Sequence, residues 1–102
     1  MEPEAILERT KEIVLRTLAR YPTTVYLFGS YARGDAHQLS DIDVAVDSPE
    51  PLPPGVLPRL REALEESTIP RVVEVVDLRD ADPTFRERVR REGVIWSASA
   101  ND

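Results

Sequence analysis

The centre of the sequence, residues 27–46, reads LFGSYARGDAHQLSDIDVAV. Its first residues finish a β-branched and aromatic run, residues 24–28, that predicts a short buried strand ending at Gly29. Within residues 42–46, apolar side chains alternate with acidic or small ones, which predicts a second strand with one apolar face. Residues 30–40, which are mostly small or polar, connect the two strands. The stretch therefore predicts two strands joined by a polar segment.

The second strand carries two carboxylates close together. Asp41 and Asp43 are two residues apart, so both point to the same side of the strand and could hold one divalent cation or bridge two. Like charges brought together on a sheet repel and lose hydration, so bound cations would stabilise the pair. The alternative is that this face of the sheet is simply exposed to solvent, as one face of an antiparallel sheet often is.

The first strand ends in a glycine followed by a serine. A Gly29–Ser30 step that opens a helical turn presents backbone N–H groups and a hydroxyl to an anion such as phosphate. For this step to lie beside Asp41 and Asp43, the two strands must be antiparallel. A helix precedes the third strand, which predicts a parallel pairing for that strand and therefore a mixed sheet.

The rest of the chain supplies helices and two further strands. Apolar residues spaced three and four apart predict helices, and β-branched runs predict strands. Asp82 is the predicted N-cap of the last helix, and Gly93 its end. The predicted elements are helices over about 3–20, 56–67 and 83–92 and strands over 72–78 and 94–96. The fold class is therefore α/β, a small mixed sheet packed with helices.

Composition excludes several classes of protein. The 102 residues predict a single domain, and 13 basic against 19 acidic residues give a net charge of −6, which disfavours binding to nucleic acid or anionic membranes. The absence of cysteine excludes disulfides, thiolate metal sites and cysteine nucleophiles. No apolar run approaches the roughly 20 residues of a membrane span, and the N-terminus is acidic, unlike a signal peptide, so we expect a cytoplasmic protein.

Two pairs of residues resemble a known signature. Gly29-Ser30, followed after ten residues by Asp41-x-Asp43, is similar to the Gly-Ser-x10-Asp-x-Asp pattern of the DNA polymerase β-like nucleotidyltransferase superfamily. Residues 32–34 (ARG) and 40–43 (SDID) further resemble the minimal nucleotidyltransferases, which are often encoded beside a HEPN-domain toxin. The resemblance extends over residues 26–96 and implies a polymerase β-like palm fold for one minimal nucleotidyltransferase domain, residues 1–102.

The resemblance also implies a third carboxylate. The family carries it in a strand similar to residues 73–78, VEVVDL, where Glu74 takes the catalytic place. Glutamate stands here where aspartate is commoner, so its carboxylate would reach further. Asp77 lies on the opposite face by strand alternation, and we expect it to cap the turn before Asp80.

The implied activity is the transfer of AMP from ATP to a hydroxyl, a tyrosine of a HEPN RNase toxin, which makes the chain an AMPylating antitoxin. Asp41, Asp43 and Glu74 would be the catalytic residues and would ligate two Mg²⁺ ions. Gly29 and Ser30 would hold the ATP phosphates. Two other hypotheses stay open: an antitoxin that neutralises its partner by binding alone, and a small-molecule nucleotidyltransferase acting with a separate substrate-binding subunit.

The arginines of the chain can also be explained without a role in nucleotide binding. Arg33 could contact the triphosphate or a partner, or it could hold its own loop by pairing with Asp35. The arginines of the last helix alternate with glutamates, which is typical of a solvated helix face. His37 is expected to be a solvated loop residue.

Overall fold

A four-stranded sheet and four α-helices make up residues 2–37 and 40–97, the part of the chain that the computed structural model describes. In chain order the elements are α1 (Pro3–Thr17), β1 (Thr24–Phe28), α2 (Ser30–Arg33), β2 (Ile42–Asp47), α3 (Val56–Glu65), β3 (Val73–Asp77), a 3-10 turn (Leu78–Asp80), α4 (Pro83–Glu92) and β4 (Val94–Ser97). This order matches the predicted one, although α1 and α3 end two or three residues earlier than their apolar spacing suggested.

The sheet is mixed, as predicted. Its strand order is β3-β2-β1-β4, so β2 and β1 occupy the centre. β1 is antiparallel to both β2 and β4, whereas β2 and β3 are parallel. The connection from β2 to β3 passes through α3, because parallel neighbours need a long crossover. This topology brings the end of β1 next to the start of β2.

α1 and α3 cover one face of the sheet. Ile42, Val44 and Val46 on that face are fully buried, in agreement with the predicted alternation. Thr10 is also fully buried, and its hydroxyl donates to the carbonyl oxygen of Ile6 (2.8 Å). Leu18, just beyond α1, joins the same core, although the predicted apolar stripe did not include it. This core supplies most of the buried apolar surface that stabilises the fold.

α4 covers part of the opposite face. Beneath it Ala45 is fully buried, and the rings of Phe28 and Phe85 meet edge to face, with centroids 5.5 Å apart. The interpretation of this face as simply solvent-exposed is therefore wrong at Ala45. Tyr26 and Val89 complete a second, smaller cluster.

Local interactions begin and end α4 where the sequence predicted. The Asp82 carboxylate accepts hydrogen bonds from the backbone N–H groups of Thr84 (2.9 Å) and Phe85 (3.1 Å), which confirms the N-cap. A Cβ at Gly93 would lie only 2.7 Å from the carbonyl oxygen of Val89, so the tight passage into β4 depends on glycine. Within the described residues, none of the helices combines the length and apolarity that a membrane span needs.

Candidate active site

The turn after β1 lies directly against the carboxylate of β2. Gly29 has φ 78°, a conformation that suits glycine, and it leads straight into Ser30, the first residue of α2. A Cβ at Gly29 would overlap Oδ2 of Asp43 and lie 3.1 Å from its Cγ. The predicted proximity of the Gly29–Ser30 step to the acidic strand is thus confirmed, and glycine is required both by the backbone and by the close approach of Asp43.

α2 is a single turn that ends in a second glycine of positive φ. Gly34 has φ 84°, and its N–H and that of Asp35 both donate to the carbonyl oxygen of Ser30 (3.0 and 3.1 Å). Unlike Gly29, Gly34 has open space where a Cβ would stand. The two glycines therefore share a backbone requirement, but only Gly29 touches an acidic side chain.

The sheet register places two of the three predicted carboxylates side by side. Asp43 pairs with Phe28 of β1 on one side and with Glu74 of β3 on the other. Direct partners in neighbouring strands point to the same face, so Asp43 and Glu74 are neighbours on the α4 face. Asp41 lies just before β2 and is exposed.

Asp77 does not join this group. It pairs with Val46, whose side chain lies on the face covered by α1 and α3, so strand alternation places it away from Asp43. Its Oδ1 accepts a hydrogen bond from the backbone N–H of Arg79 (3.0 Å) and caps the 3-10 turn, which confirms the predicted capping role.

The electrostatic environment of Asp43 opposes its charge. Burial raises the pKa of Asp43, and the negative charges of Asp41 and Glu74 raise it further, while Arg33 lowers it. The ionised form of Asp43 is therefore costly in the free protein, and a cation bound beside it would offset that cost.

Arg33 has the partner that its simpler interpretation predicts. Its Nε lies 3.3 Å from Oδ2 of Asp35, and both side chains are largely exposed. Exposed ion pairs of this kind contribute about 0–1 kcal/mol to stability. Arg33 also lies near enough to Asp43 to lower its pKa. Because the pair with Asp35 is weak, the guanidinium can turn towards a phosphate at little cost.

The carboxylates suit a hard cation that is bound together with substrate. Within residues 2–37 and 40–97, no three side chains form a ready-made metal site. Mg²⁺ does not need one, because it keeps several waters and binds one or two carboxylates plus substrate phosphates. A donor set of carboxylate oxygens fits this ion.

One ion pair on the same sheet face was missed by the sequence analysis. Asp47, four residues beyond Asp43, accepts two hydrogen bonds from Arg90, Nε to Oδ2 (2.8 Å) and Nη2 to Oδ1 (3.1 Å). Arg86 likewise donates to backbone carbonyl oxygens of the 3-10 turn region. The interpretation of these α4 arginines as a purely solvated face is therefore wrong. No local signal could reveal the pairing, since Asp47 and Arg90 are 43 residues apart.

Comparison with known proteins points to one family. Residues 8–100 match the family described as Polymerase beta, Nucleotidyltransferase. The chain is 40% identical over 72 residues to the probable protein adenylyltransferase MntA of Haemophilus influenzae and 35% identical over 79 residues to the protein adenylyltransferase MntA of Shewanella oneidensis. These matches cover 71% and 76% of this chain but 63% and 56% of the relatives, so the chain spans less than two thirds of either curated relative.

A solved structure has a similar fold. It is a crystal structure of a toxin–antitoxin with AMP-PNP, in which the matched chain is 29% identical to this one. The superposition has a TM-score of 0.70 and covers 87% of this chain and 73% of that chain. The fold of this chain is thus similar to that of a protein crystallised with an ATP analogue.

Proposed function

The chain belongs to the polymerase β nucleotidyltransferase family, and we propose that it is an adenylyltransferase that moves AMP from ATP to a hydroxyl of a partner protein. The family match over residues 8–100 confirms the resemblance carried by the Gly-Ser and Asp-x-Asp residues. One observation carries the proposal: the Gly29–Ser30 turn touches Asp43, which Asp41 and Glu74 surround with negative charge. A phosphate-binding turn and a cation-binding carboxylate group are thereby adjacent.

The proposed acceptor is a tyrosine of a HEPN-domain RNase toxin, and the proposed role of the chain is that of antitoxin. Two relatives named protein adenylyltransferase support a protein acceptor. A related fold crystallised as a toxin–antitoxin with AMP-PNP supports both the toxin partner and the adenosine nucleotide. Because the reaction consumes ATP, we place it in the cytoplasm.

Each site residue has a proposed task. Gly29 and Ser30 bind the β- and γ-phosphates through backbone N–H groups and the serine hydroxyl, and Arg33 adds a positive charge there. Asp41, Asp43 and Glu74 would hold Mg²⁺, which would neutralise the phosphates and favour loss of the acceptor proton. We infer that two ions bind, because three carboxylates and a triphosphate supply enough oxygen ligands.

The transfer step follows from this placement. The acceptor oxygen forms a bond to the α-phosphorus of ATP, the bond from that phosphorus to the β-phosphate oxygen breaks, and pyrophosphate leaves. The Glu74 carboxylate is proposed to accept the hydroxyl proton. Gly29 and Ser30 keep the leaving pyrophosphate oriented, which is the positioning contribution expected of a bound substrate.

The intact mass of the partner tests the proposal. The HEPN candidate is incubated with this protein, ATP and Mg²⁺ and then purified away from it. We expect a gain of about 329 Da per AMP and RNase inactivity that persists after separation. The double variant Asp41→Asn with Asp43→Asn is the control and should leave the mass unchanged. A partner that is fully neutralised at unchanged mass would show that binding alone silences it.

A further inference from the structure

We propose that the cleft between α2 and α4 binds the adenine base of ATP, and that the base stacks on Arg88 and Phe85 of α4. The inference rests on the proposed function and deepens it, because it names the residues that recognise the nucleoside part of the substrate. It depends on three observations: the position of the cleft beside Asp43, a pair of stacked side chains on its α4 wall, and the distribution of charge across it.

The cleft begins at the proposed phosphate-binding turn. Its lining includes Gly29, which belongs to that turn, and Phe28, the register partner of Asp43. Neighbouring strands are about 4.8 Å apart, so the cleft opens one strand away from Asp43. Glu74 lies next to Asp43 on the other side, on β3. A nucleotide with its α-phosphate at Asp43 can therefore place its other phosphates at the turn and its base in the cleft, and it leaves the side of Glu74 open to the acceptor hydroxyl.

The size and the lining of the cleft suit a base. Its volume is about 240 Å³, and the side chains that line it are mostly aromatic or aliphatic: Phe28, Ala32, Phe85 and Val89. Sites that enclose a whole drug-sized ligand measure about 300–1,000 Å³. The cleft is therefore matched to one part of the nucleotide, and its apolar walls favour the part that is flat and uncharged.

The α4 wall carries a stacking platform. The guanidinium of Arg88 lies over the ring of Phe85, 6.0 Å from its centroid. The ring of Phe28 meets that of Phe85 edge to face and so helps to fix its orientation. Aromatic rings and guanidinium planes are the surfaces on which proteins stack nucleobases. Arg88 and Phe85 thus offer the base such a surface on the wall that faces the phosphate-binding turn.

The charges on the two walls separate the base from the phosphates. Arg33 on the α2 wall lies near enough to Asp43 to lower its pKa, so its positive charge is at the phosphate end of the site. On the α4 wall the positive charge of Arg88 is accompanied by the negative charge of Glu92. A wall without net charge has no preference for a phosphate, whereas an uncharged base can stack there without electrostatic cost. The phosphates are therefore expected at the turn, and the base in the cleft.

Two ligands that differ only in the base test the cleft. ATP and ribose 5′-triphosphate are titrated into the protein by calorimetry, with Mg²⁺ and without the partner. We expect Arg88→Ala to weaken the Kd of ATP about tenfold, within the range found when a residue that stacks one base is replaced by alanine, and to leave the Kd of ribose 5′-triphosphate unchanged. Phe85→Leu removes the ring without changing the charge and should also weaken ATP binding alone.

A matched control excludes a general effect of charge. Arg59 is exposed on α3, which covers the other face of the sheet, so Arg59→Ala removes the same charge and should bind both ligands as the wild type does. Thermal melting curves establish that each variant is folded. An equal loss of both ligands in Arg88→Ala would show that this side chain binds phosphate and would overturn the inference. Wild-type affinity for ATP in both Arg88→Ala and Phe85→Leu would overturn it as well.

The same measurements separate this inference from the proposed function. If the wild type adds AMP to its partner but its affinity for ATP does not depend on Arg88 and Phe85, only the assignment of the cleft is wrong. If the partner mass stays unchanged while Arg88→Ala weakens ATP binding selectively, the cleft is a base site and the transfer reaction is wrong. A third outcome, weaker partner binding in Arg88→Ala at unchanged affinity for ATP, would assign the cleft to the partner and overturn the inference.

Discussion

Asp43 and Asp47 lie four residues apart on the same face of β2, yet their surroundings are opposite in charge. Asp47 accepts hydrogen bonds from Nε and Nη2 of Arg90, and its side chain is only 17% exposed. Asp43 faces Asp41 and Glu74, and burial together with these two acids raises its pKa. One carboxylate is thus paired with an arginine within the fold, while the other has two further carboxylates among its neighbours.

The difference between the two positions separates an acid that is paired within the fold from one that we propose to bind a cation. The Asp47–Arg90 pair ties α4 to the sheet, so it contributes to stability without any ligand. Asp43 destabilises the free protein when it is ionised, and such a cost is typical of sites that bind charged ligands. Three matched pairs of substitutions and one pH dependence test whether this contrast holds.

The largest effect is expected when the carboxylate of Asp43 or of Asp47 is replaced, one at a time, by an amide. Asp43→Asn should reduce AMP transfer by about 100-fold or more if Asp43 is the Mg²⁺ ligand that we propose, while its melting temperature stays equal or rises. Asp47→Asn should keep transfer within about twofold but cost about 1 kcal/mol, a value that allows for the half-exposed Arg90, or about 4–8 °C in melting temperature. Transfer assays beside melting curves measure both; loss of activity in Asp47→Asn alone would reverse the assignment.

The two glycines of positive φ give the next comparison. Gly34→Ala should lose about 1–2 kcal/mol, because alanine disfavours the left-handed region. Gly29→Ala should lose at least as much, up to about 3 kcal/mol, because φ 78° with ψ −155° is a region that only glycine adopts readily. Only at Gly29 would the new Cβ displace the Asp43 carboxylate, so only Gly29→Ala should lower transfer further, by about tenfold or more. Urea unfolding and initial rates distinguish the two effects. Equal activity in the two variants would mean that Asp43 tolerates displacement.

The acids of β3 test the same contrast on a neighbouring strand. Glu74→Gln should slow transfer by about tenfold or more with little change in stability, because its carboxylate lies beside Asp43. Asp77→Asn should leave transfer unchanged and cost at most about 1 kcal/mol, since asparagine can still cap the 3-10 turn. A larger loss of activity in Asp77→Asn than in Glu74→Gln would place the third carboxylate at Asp77.

The smallest effect is a pH dependence of stability. The pKa of Asp43 is higher in the folded state than in the unfolded state. At pH values between these two pKa values the folded state binds more protons, so the free energy of unfolding falls as the pH rises through this range. Without metal, Asp43→Asn should therefore be more stable than the wild type at about pH 7, and the difference should shrink towards about pH 3. Melting curves in EDTA measure this difference, and Mg²⁺ should stabilise the wild type alone. A difference that grows on acidification would contradict the raised pKa.

Much of the fold and the site could be predicted from local patterns. The run of residues 24–28 has the bounds of β1, and Asp82 caps α4, because strand alternation and capping depend on neighbours in sequence. The antiparallel pairing of β1 and β2 followed from the need to bring Gly29 and Asp43 together.

The contacts that the sequence did not predict depend on how α4 packs across the sheet. Arg90 looks the same in sequence whether it is solvated or paired, and only tertiary packing places it against Asp47. The contact between Phe28 and Phe85 depends on the same crossing. Likewise, the cleft between α2 and α4 becomes visible only once α4 is placed on the sheet.

The pairing of β3 with β2 also protects the site against misfolding. A shift of β3 by one residue would turn Glu74 towards α3 and turn Val73 and Val75 outwards, because side chains alternate with a period of two. Such a slip would bury a carboxylate among leucines and lose the burial of Val75, so it is heavily disfavoured. The register that buries Val75 is therefore the same register that places Glu74 beside Asp43, so the core and the proposed third carboxylate depend on one strand alignment.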